Sequence, residues 1–343
     1  MKKISFLFVI FISLFHFAQE EQSESNASFS VSLGLSNVDW SADIQTAASG
    51  PSDVNGNDGS LESRIIEQSL NYSAPQFGFA VNFGQSSIAV KSTVGDGDDV
   101  WDSELASPYV TYTNTFSDAE RSETSITYQY KFDTNWSVAF GTTLTEIDMN
   151  YDFSGIDPRT ATGYTDGTQV AYQWEDRTAG NTLTSSDGYF LAVAYQAQIG
   201  DRLFGFGKIG LQQNEYEVTE NFSDTYTFSV TDDPIGAWYD AVVASWAEQG
   251  LVPNPTFTYD KVTSGDGVSS VIGFGVVYAF TPKLLGIVEY ESKSFSYDVP
   301  EVDSFNQSTN YSAGYNGPIT DFIPDNESEE EVSSFTFSLS FRF

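Results

Sequence analysis

The chain has 343 residues and a formal net charge of −34, from 14 basic and 48 acidic side chains. This charge excludes a nucleic-acid partner, because the phosphate backbone would be repelled. The sequence contains no cysteine and one histidine, His16. Disulfides, thiolate metal sites and cysteine nucleophiles are therefore excluded.

The N-terminus has the pattern of an export signal. Lys2 and Lys3 precede an apolar run over residues 4–17, and Ala18 is followed by polar residues. The run is shorter than the roughly 20 residues that a membrane-spanning helix needs. We therefore predict a signal peptide at 1–18, a short periplasmic segment at 19–27 and one β-barrel domain at 28–343. Since His16 leaves with the signal, no histidine-dependent active site or metal site can form, and we expect neither enzyme activity nor a cofactor.

Apolar and polar residues alternate with period two in several segments. The last segment alternates Phe335, Phe337, Leu339, Phe341 and Phe343 with Thr336, Ser338, Ser340 and Arg342. Similar alternation occupies residues 29–36 and 126–132. The chain carries 28 Phe, 19 Tyr and 6 Trp at a mean hydropathy of −0.25, a combination that strands with one lipid face and one polar face produce. The predicted fold is an all-β, antiparallel up-and-down transmembrane barrel.

Turn spacing predicts the number of strands. Short links at 84–85, 133–135, 200–202 and 282–283 each join two alternating segments. The connections between these hairpins are long and acidic, and we place them at 42–61, 95–120, 154–186, 221–267 and 299–331. Four hairpins and the two terminal segments give ten strands, with both termini at the periplasmic end. Counting 63–73 and 109–117 as separate strands would give twelve.

One long connection has the signals of a short helix. Asp232 or Asp233 can cap its start, Pro234 suits its first turn and Gly250 its end. Three large side chains would share one face, at spacings of four: Trp238, Val242 and Trp246. The helix either packs this face on the barrel mouth or forms a lid over the lumen.

Strand parity predicts which charged side chains face the lumen. With large apolar residues turned to lipid, the inward set is Lys91, Lys131, Lys208, Glu289, Glu291, Lys293 and Arg342. Phe204 and Phe206 share the parity of Lys208 and make that strand ambiguous. These groups would form either an ion-pair ladder that fills a narrow barrel or a charged constriction that selects solutes. We favour the ladder or a very narrow pore.

Two acidic runs partly match calcium loops, at 53–59 and 96–99. In the first, Asp58 stands where the loop glycine should be and Arg64 where the bidentate glutamate should be. We interpret both runs as flexible, solvated loops.

The final strand, residues 333–343, resembles the C-terminal signature of Gram-negative outer-membrane barrel proteins. That resemblance implies that Phe341 and Phe343 are the assembly signal read by the barrel-assembly machinery, and that the protein sits among outer-membrane lipids. Residues 126–141 resemble hairpins of porin-like channels of the fatty-acid-transporter type, although the Asn-Pro-Ala motif of those channels is missing here.

Our leading sequence hypothesis is a non-enzymatic outer-membrane barrel that acts as a narrow channel for passive uptake of a small solute. The alternative is a surface-exposed structural or adhesion barrel whose acidic loops bind a partner. The two hypotheses differ in the lumen: an open path past Lys131 and Lys293 favours the channel, and a lumen closed by salt bridges favours the anchor.

Overall fold

The structure is a computed structural model that describes residues 27–46, 64–106, 111–250, 254, 256–298, 301–307 and 328–343. The predicted signal peptide, the periplasmic segment up to residue 26 and the acidic run at 53–59 lie outside the described residues.

The described residues form eleven strands and one helix. The strands are β1 (Ala27–Thr46), β2 (Arg64–Phe83), β3 (Ser86–Ala106), β4 (Thr111–Lys131), β5 (Trp136–Thr162), β6 (Gln169–Gly200), β7 (Leu203–Asp232), β8 (Thr256–Thr281), β9 (Leu284–Tyr297), β10 (Glu301–Gln307) and β11 (Ser328–Arg342); the helix is α1 (Trp238–Glu248). Among the described helical residues, none belongs to a helix that is both long enough and apolar enough to cross a bilayer.

Ten strands close a barrel. All neighbours are antiparallel, from β1 through β8 in chain order, then β9 and β11 back to β1. β10 pairs with the upper part of β8, above the point where β8 leaves β9 at Gly267. The prediction of ten barrel strands and one short helix is confirmed. Closure pairs every barrel strand on both sides near the short turns, which a strand in lipid requires. Farther from these turns the described β2–β3 pairing ends at Gln76 and Thr93.

All four predicted short turns separate the predicted strand pairs, at 84–85, 132–135, 201–202 and 282–283. The twelve-strand alternative is wrong, because residues 64–73 and 111–117 are parts of β2 and β4 rather than separate spans. Phe343 donates its backbone N–H to Phe29 at 2.8 Å. The two chain ends of the barrel therefore meet at the end that carries the short turns, which is the periplasmic end in bacterial barrels.

The bounds predicted for all five long connections are wrong, and β1 already extends to Thr46 within the predicted connection 42–61. Strands occupy most of 95–120 and 154–186, and parts of 221–267 and 299–331. β6 has 32 residues, about three times the roughly 9–11 tilted residues that cross a bilayer. The barrel wall therefore continues well beyond the membrane on the side opposite the short turns.

A belt of large apolar side chains surrounds the half of the barrel near the short turns. Leu33 and Leu35 are about half exposed there, as are Phe337 and Phe341 on β11. Members on the other strands include Phe77, Ile88, Ile126, Phe140, Leu191, Leu211, Phe274 and Tyr278. Such a band of outward aromatic and aliphatic groups faces lipid, and we call it the lipid belt.

Above the lipid belt, the large apolar side chains point into the barrel instead of out of it. On β1, outward Leu33 and Leu35 give way to inward Val38 and Trp40, while Asp39 points outward. Twelve buried side chains form one cluster inside the upper barrel, and we call it the inner core: Val38, Trp40, Ala42, Leu70, Tyr72, Ala74, Ala119, Ile147, Met149, Phe295, Tyr297 and Val332. Outside the bilayer the wall is bathed by water, so apolar groups gain by turning inward.

Candidate functional site in the barrel interior

Inward side chains of four strands form a continuous chain of ion pairs, which we call the inner ion chain. It comprises Lys91 on β3, Arg121 and Glu123 on β4, Lys208 on β7, and Glu289, Glu291 and Lys293 on β9. Each strand contributes every second residue to the lumen, which places Glu289, Glu291 and Lys293 in one column. The charges of successive members alternate in sign.

The first half of the inner ion chain crosses the lumen. Lys91 Nζ lies 3.3 Å from Glu289 Oε2, and Lys208 Nζ lies 3.1 Å from Glu289 Oε1. Lys208 also contacts Glu291. β3 and β7 are not neighbours of β9 in the sheet, so both lysines reach Glu289 through the interior. Phe206 faces the same side as Lys208 and lies over Gly275, so one aromatic ring shares the lumen with the charges.

The second half joins β9 to β4. Lys293 Nζ lies 3.5 Å from Glu291 and 2.5 Å from Glu123 Oε1. Arg121 Nη2 lies 3.1 Å from Glu123 Oε2, and Arg121 Nη1 donates to the Tyr72 hydroxyl at 3.3 Å. Arg121 and Lys293 are only 3% and 6% exposed. Buried charges of this kind persist because each one has a partner of opposite sign.

These contacts leave little free space at the middle of the barrel. A cavity of about 30 Å³ lies between Lys91, Arg121, Glu123, Glu291 and Lys293, which is space for about one or two water molecules. A hydrated solute does not fit a space of this size. At this level the described interior is filled by side chains.

The inner core closes the next level of the barrel. Trp40 Nε1 donates to Glu330 at 2.8 Å, and the Tyr297 hydroxyl donates to the other oxygen of Glu330 at 2.9 Å. The Phe295 and Tyr297 rings stack with centroids 5.8 Å apart. Polar atoms within this apolar layer therefore have partners, and the layer is a packed core rather than a water-filled passage.

The seven predicted inward charges divide into two groups. Lys91, Lys208, Glu289, Glu291 and Lys293 come together in the inner ion chain. Lys131 and Arg342 do not belong to it: both are exposed near the short turns. The Arg342 guanidinium donates to Ser28 Oγ at 2.9 and 3.1 Å.

Sequence reasoning missed Arg121 and Glu123, although both share the parity of Lys131 on β4. The alternation around Ile126 was a usable signal, since continuing it from Thr127 through residues 125, 123 and 121 assigns both residues to the lumen. The predicted alternating segment begins at Ile126 and the predicted loop ends at residue 120, so residues 121–125 belonged to neither.

Helix α1 packs on the wall of the extension. Trp246 lies against Trp174 and Phe228, with ring centroids 5.6 and 4.8 Å apart, and Trp238 lies 5.3 Å from Tyr172. Val242 is half-buried on the same face. Tyr172 and Trp174 alternate in phase with the inward residues of β6. The helix thus packs against the inner side of β6 and β7, and the described ring contacts of its aromatic side chains are with residues of these two strands.

Asp233, rather than Asp232, holds the start of α1, although the N-cap position itself is Ala237. Pro234 lies four residues before the helix, so the prediction that it occupies the first turn is wrong. The Asp233 carboxylate accepts hydrogen bonds from the backbone of Ile235 and Trp238 and from the Tyr164 hydroxyl, at 3.1, 2.8 and 2.8 Å. Partial desolvation raises the pKa of Asp233, but these hydrogen bonds outweigh it and lower the pKa overall. Gly250 takes a positive φ of 75° just past the helix, as a helix-ending glycine does.

Two carboxyl groups face each other on the inner wall of the extension. Asp176 and Asp224 are diagonal neighbours on β6 and β7, and Thr178 Oγ1 donates to Asp224 at 3.2 Å. Burial, the hydrogen bond to Asp224 and the charge of Asp224 together raise the pKa of Asp176 to about 9. Asp176 therefore keeps its proton at neutral pH. Asp224 is 4% exposed, which restricts any contact with a substrate.

The outer face of the extension is acidic. An open groove of about 600 Å³ runs over β6, β7 and β8, and its charged lining is Asp187, Glu215, Glu217, Asp266 and Asp298.

The second run that partly matches a calcium loop, residues 96–99, lies within β3. The interpretation of this run as a flexible loop was therefore wrong. In the described part of the chain, no group of three or more histidine, cysteine or acidic residues is arranged to hold a metal ion.

Comparison with family models and with curated proteins found no match. Among solved structures, the chain is similar to the outer-membrane protease OmpT from Escherichia coli, at 13% identity, 94% coverage of this chain, 99% of that chain and a TM-score of 0.35. The toluene transporter TodX from P. putida has 7% identity, coverages of 93% and 90%, and a TM-score of 0.26. The attachment invasion locus protein Ail of Yersinia pestis has 9% identity, coverages of 94% of this chain and 100% of that chain, and a TM-score of 0.21. Scores this low assign neither an activity nor a ligand.

The location of the protein follows from its own architecture. Ten antiparallel strands close without an edge through the lipid belt, short turns lie at one end, and the strand alternation puts large apolar groups outside and charges inside. Only a closed barrel allows strands to cross a bilayer, because lipid offers no hydrogen-bond partner to an open edge. The chain is an integral β-barrel of the Gram-negative outer membrane.

Proposed function

We propose that this protein is a non-conducting, non-enzymatic barrel that anchors a rigid acidic extension at the cell surface, where the extension contacts a cationic partner. The observation that carries the proposal is the interior: the inner ion chain and the inner core occupy the lumen at two successive levels. The adhesion or structural hypothesis therefore has more support than uptake through a channel.

The inner ion chain, as the lower layer, and the inner core, as the upper layer, each oppose opening of the lumen for a different physical reason. Opening the lower layer would separate buried ion pairs such as Lys293–Glu123, which leaves charges unpaired in a poorly solvated interior. Opening the upper layer would expose apolar groups such as Trp40 and Leu70, which are 3% and 1% exposed, to water. A channel for passive uptake needs a continuous polar path, and neither layer offers one in the described interior.

Surface charge favours a cationic partner. The groove over β6–β8 carries five carboxylates, and its lining contains no basic side chain. A concave surface of one sign concentrates the opposite charge and speeds association. Complementary charge also sets specificity more than raw affinity. The extension holds this face on long paired strands, so a partner would meet a preformed surface.

Catalysis has little support. The predicted mature chain has no histidine and no cysteine, and the paired carboxyls of Asp176 and Asp224 are largely buried. A general acid or base must reach the reacting group within hydrogen-bond distance. We therefore include the absence of enzyme activity in the proposal.

Planar-bilayer recording tests the closed lumen. The purified mature protein should give no current above that of a lipid-only bilayer. The positive control is a variant with the lumen cleared at both levels, Glu291→Ala with Trp40→Ala and Phe295→Ala, checked for heat-modifiable migration. Steady unit conductance from the wild-type protein would refute the anchor proposal.

Binding of a labelled oligolysine tests the acidic groove separately. The wild-type protein in detergent should bind the peptide, and affinity should fall as salt rises. The triple variant Glu215→Gln, Glu217→Gln and Asp266→Asn should bind at least several-fold more weakly. A matched control, Asp133→Asn with Asp201→Asn at the short turns, should bind like wild type. Equal binding by both variants would show that the groove is not the contact surface.

A further inference from the structure

The inner ion chain begins and ends with a cation. Followed through its contacts, it runs Lys91, Glu289, Lys208, Glu291, Lys293, Glu123, Arg121. Within the described residues it therefore contains four cations and three carboxylates. Each internal member contacts a group of opposite sign on both sides, whereas Lys91 and Arg121 each contact one.

The two cationic ends border the same cavity. Lys91, Arg121 and Lys293 line the cavity of about 30 Å³ together with the carboxylates of Glu123 and Glu291, so its charged lining has three cations and two anions. Arg121 is 3% exposed, and its Nε atom has no hydrogen-bond partner among the described residues. A buried guanidinium N–H without a partner is costly, so a site beside it favours an acceptor.

The nearest further carboxylate does not fill this position. Glu330 contributes negative charge near Arg121, but its two oxygens accept hydrogen bonds from Trp40 and Tyr297. Glu330 does not line the cavity. The excess positive charge at the ends of the chain is thus adjacent to the cavity, and the charge of Glu330 is held in the inner core.

We propose that the cavity is a binding site for one small monovalent anion of the halide class, such as chloride. The anion completes the alternation between Lys91 and Arg121 and turns the open chain of charges into a ring. The cavity also offers neutral polar groups, Gln76, Thr93 and Ser334, which can donate hydrogen bonds to an anion. A cavity of this volume favours a monatomic anion over polyatomic anions such as sulfate and phosphate.

Crystallography of the mature wild-type protein grown in sodium bromide tests the site directly. An anomalous peak in the cavity between Lys91 and Arg121 is the expected result. Density without anomalous signal would show a water molecule only and would overturn the proposal. This measurement requires no substitution, so it does not depend on a variant that folds.

Stability in different salts provides the second test. Anions that bind only the folded state raise its stability in a saturable way. At matched ionic strength, the midpoint of the heat-modifiable transition should be higher in sodium chloride or bromide than in sodium gluconate, whose anion is too large for the cavity. Lys91→Gln should lose this difference, and Lys131→Gln, at an exposed lysine outside the inner ion chain, should keep it. An unchanged difference in Lys91→Gln would contradict the proposal.

Discussion

The Lys91 ammonium lies 3.3 Å from the Glu289 carboxylate although β2, β1 and β11 separate their strands in the sheet. The contact spans the lumen, so it ties opposite walls of the barrel together. Lys208 reaches the same carboxylate from a third direction, at 3.1 Å. Glu289 and its neighbour Glu291 are therefore the points on which three walls converge, and the stability of the closed interior depends on them.

Glu291→Gln should destabilise the protein strongly. The substitution removes one charge between Lys208 and Lys293, and breaking a buried pair on one side typically costs about 3–5 kcal/mol. The measurement is the midpoint of the heat-modifiable transition, or urea unfolding in detergent. The control is Glu175→Gln, because the Glu175–Arg177 pair has a side-chain exposure of 29% and 72% and should contribute no more than about 1 kcal/mol. Similar effects of the two substitutions would show that burial does not matter here.

Trp40→Ala should be far more harmful than a change at its neighbour. Trp40 is 3% exposed in the inner core, and truncation of a buried tryptophan typically costs about 3–5 kcal/mol. Asp39→Ala, one residue away on the water-facing side, should change stability by no more than about 0.5 kcal/mol. Comparison of these two substitutions tests whether the apolar side chains of β1 point inward at the level of the inner core. Equal losses at positions 39 and 40 would contradict that assignment.

The Asp176–Asp224 pair should make the extension less stable as pH rises. An unfolded aspartate titrates near its usual value of 3.8, whereas the folded pKa of Asp176 is about 9. Between these values the folded state holds the extra proton, so stability falls as pH increases through this window and levels off above it. Amide exchange of β6 and β7 at pH 6 and pH 9 measures the effect.

Asp176→Asn should flatten that pH dependence, because the amide needs no proton to donate to Asp224. Protection at pH 9 should exceed that of wild type. Asp187→Asn, in the acidic groove on the other face of β6, serves as the control and should leave the pH dependence in place. If Asp176→Asn keeps the wild-type profile, another group is responsible.

Asp233→Ala should loosen the start of α1. The carboxylate accepts two backbone hydrogen bonds and one from Tyr164, and loss of a capping side chain typically costs about 0.5–2 kcal/mol. Exchange of the α1 amides should accelerate while exchange in the lipid belt stays unchanged. Asp232→Ala is the matched control, since Asp232 is exposed and holds no described contact with the helix. Faster exchange in both variants to the same extent would reject Asp233 as the cap.

Several elements could be predicted from residues alone because they depend on local chemistry. The short turns, the ten strands and the inward parity of Glu289 to Lys293 follow from period-two alternation and from turn residues, which act over a few positions. The height of the wall could not be predicted in the same way. Segments such as 95–106 are rich in Asp and Gly, and their strand conformation depends on pairing with β4 rather than on intrinsic preference.

The sequence itself also shows where the apolar residues change from the outer to the inner face of the wall. On β2, buried inward Leu70, Tyr72 and Ala74 are followed by exposed outward Phe77, so the apolar residues switch from even to odd positions within three residues. Similar switches occur on β1 and β5. A search for a shift of phase, as well as for alternation, would have marked the upper edge of the lipid belt.

By itself, the sequence determined the class of the fold, the lipid-facing side of the clearly alternating strands and the exclusion of histidine and cysteine chemistry, because alternation and composition are properties of the chain. Only the tertiary structure decided that Lys91, Glu289 and Arg121 belong to one connected set of charges. Those residues lie on different strands, and their meeting depends on the closure and stagger of the whole barrel. The same closure decides that the lumen is filled, since the free space between opposite walls is a property of no single strand.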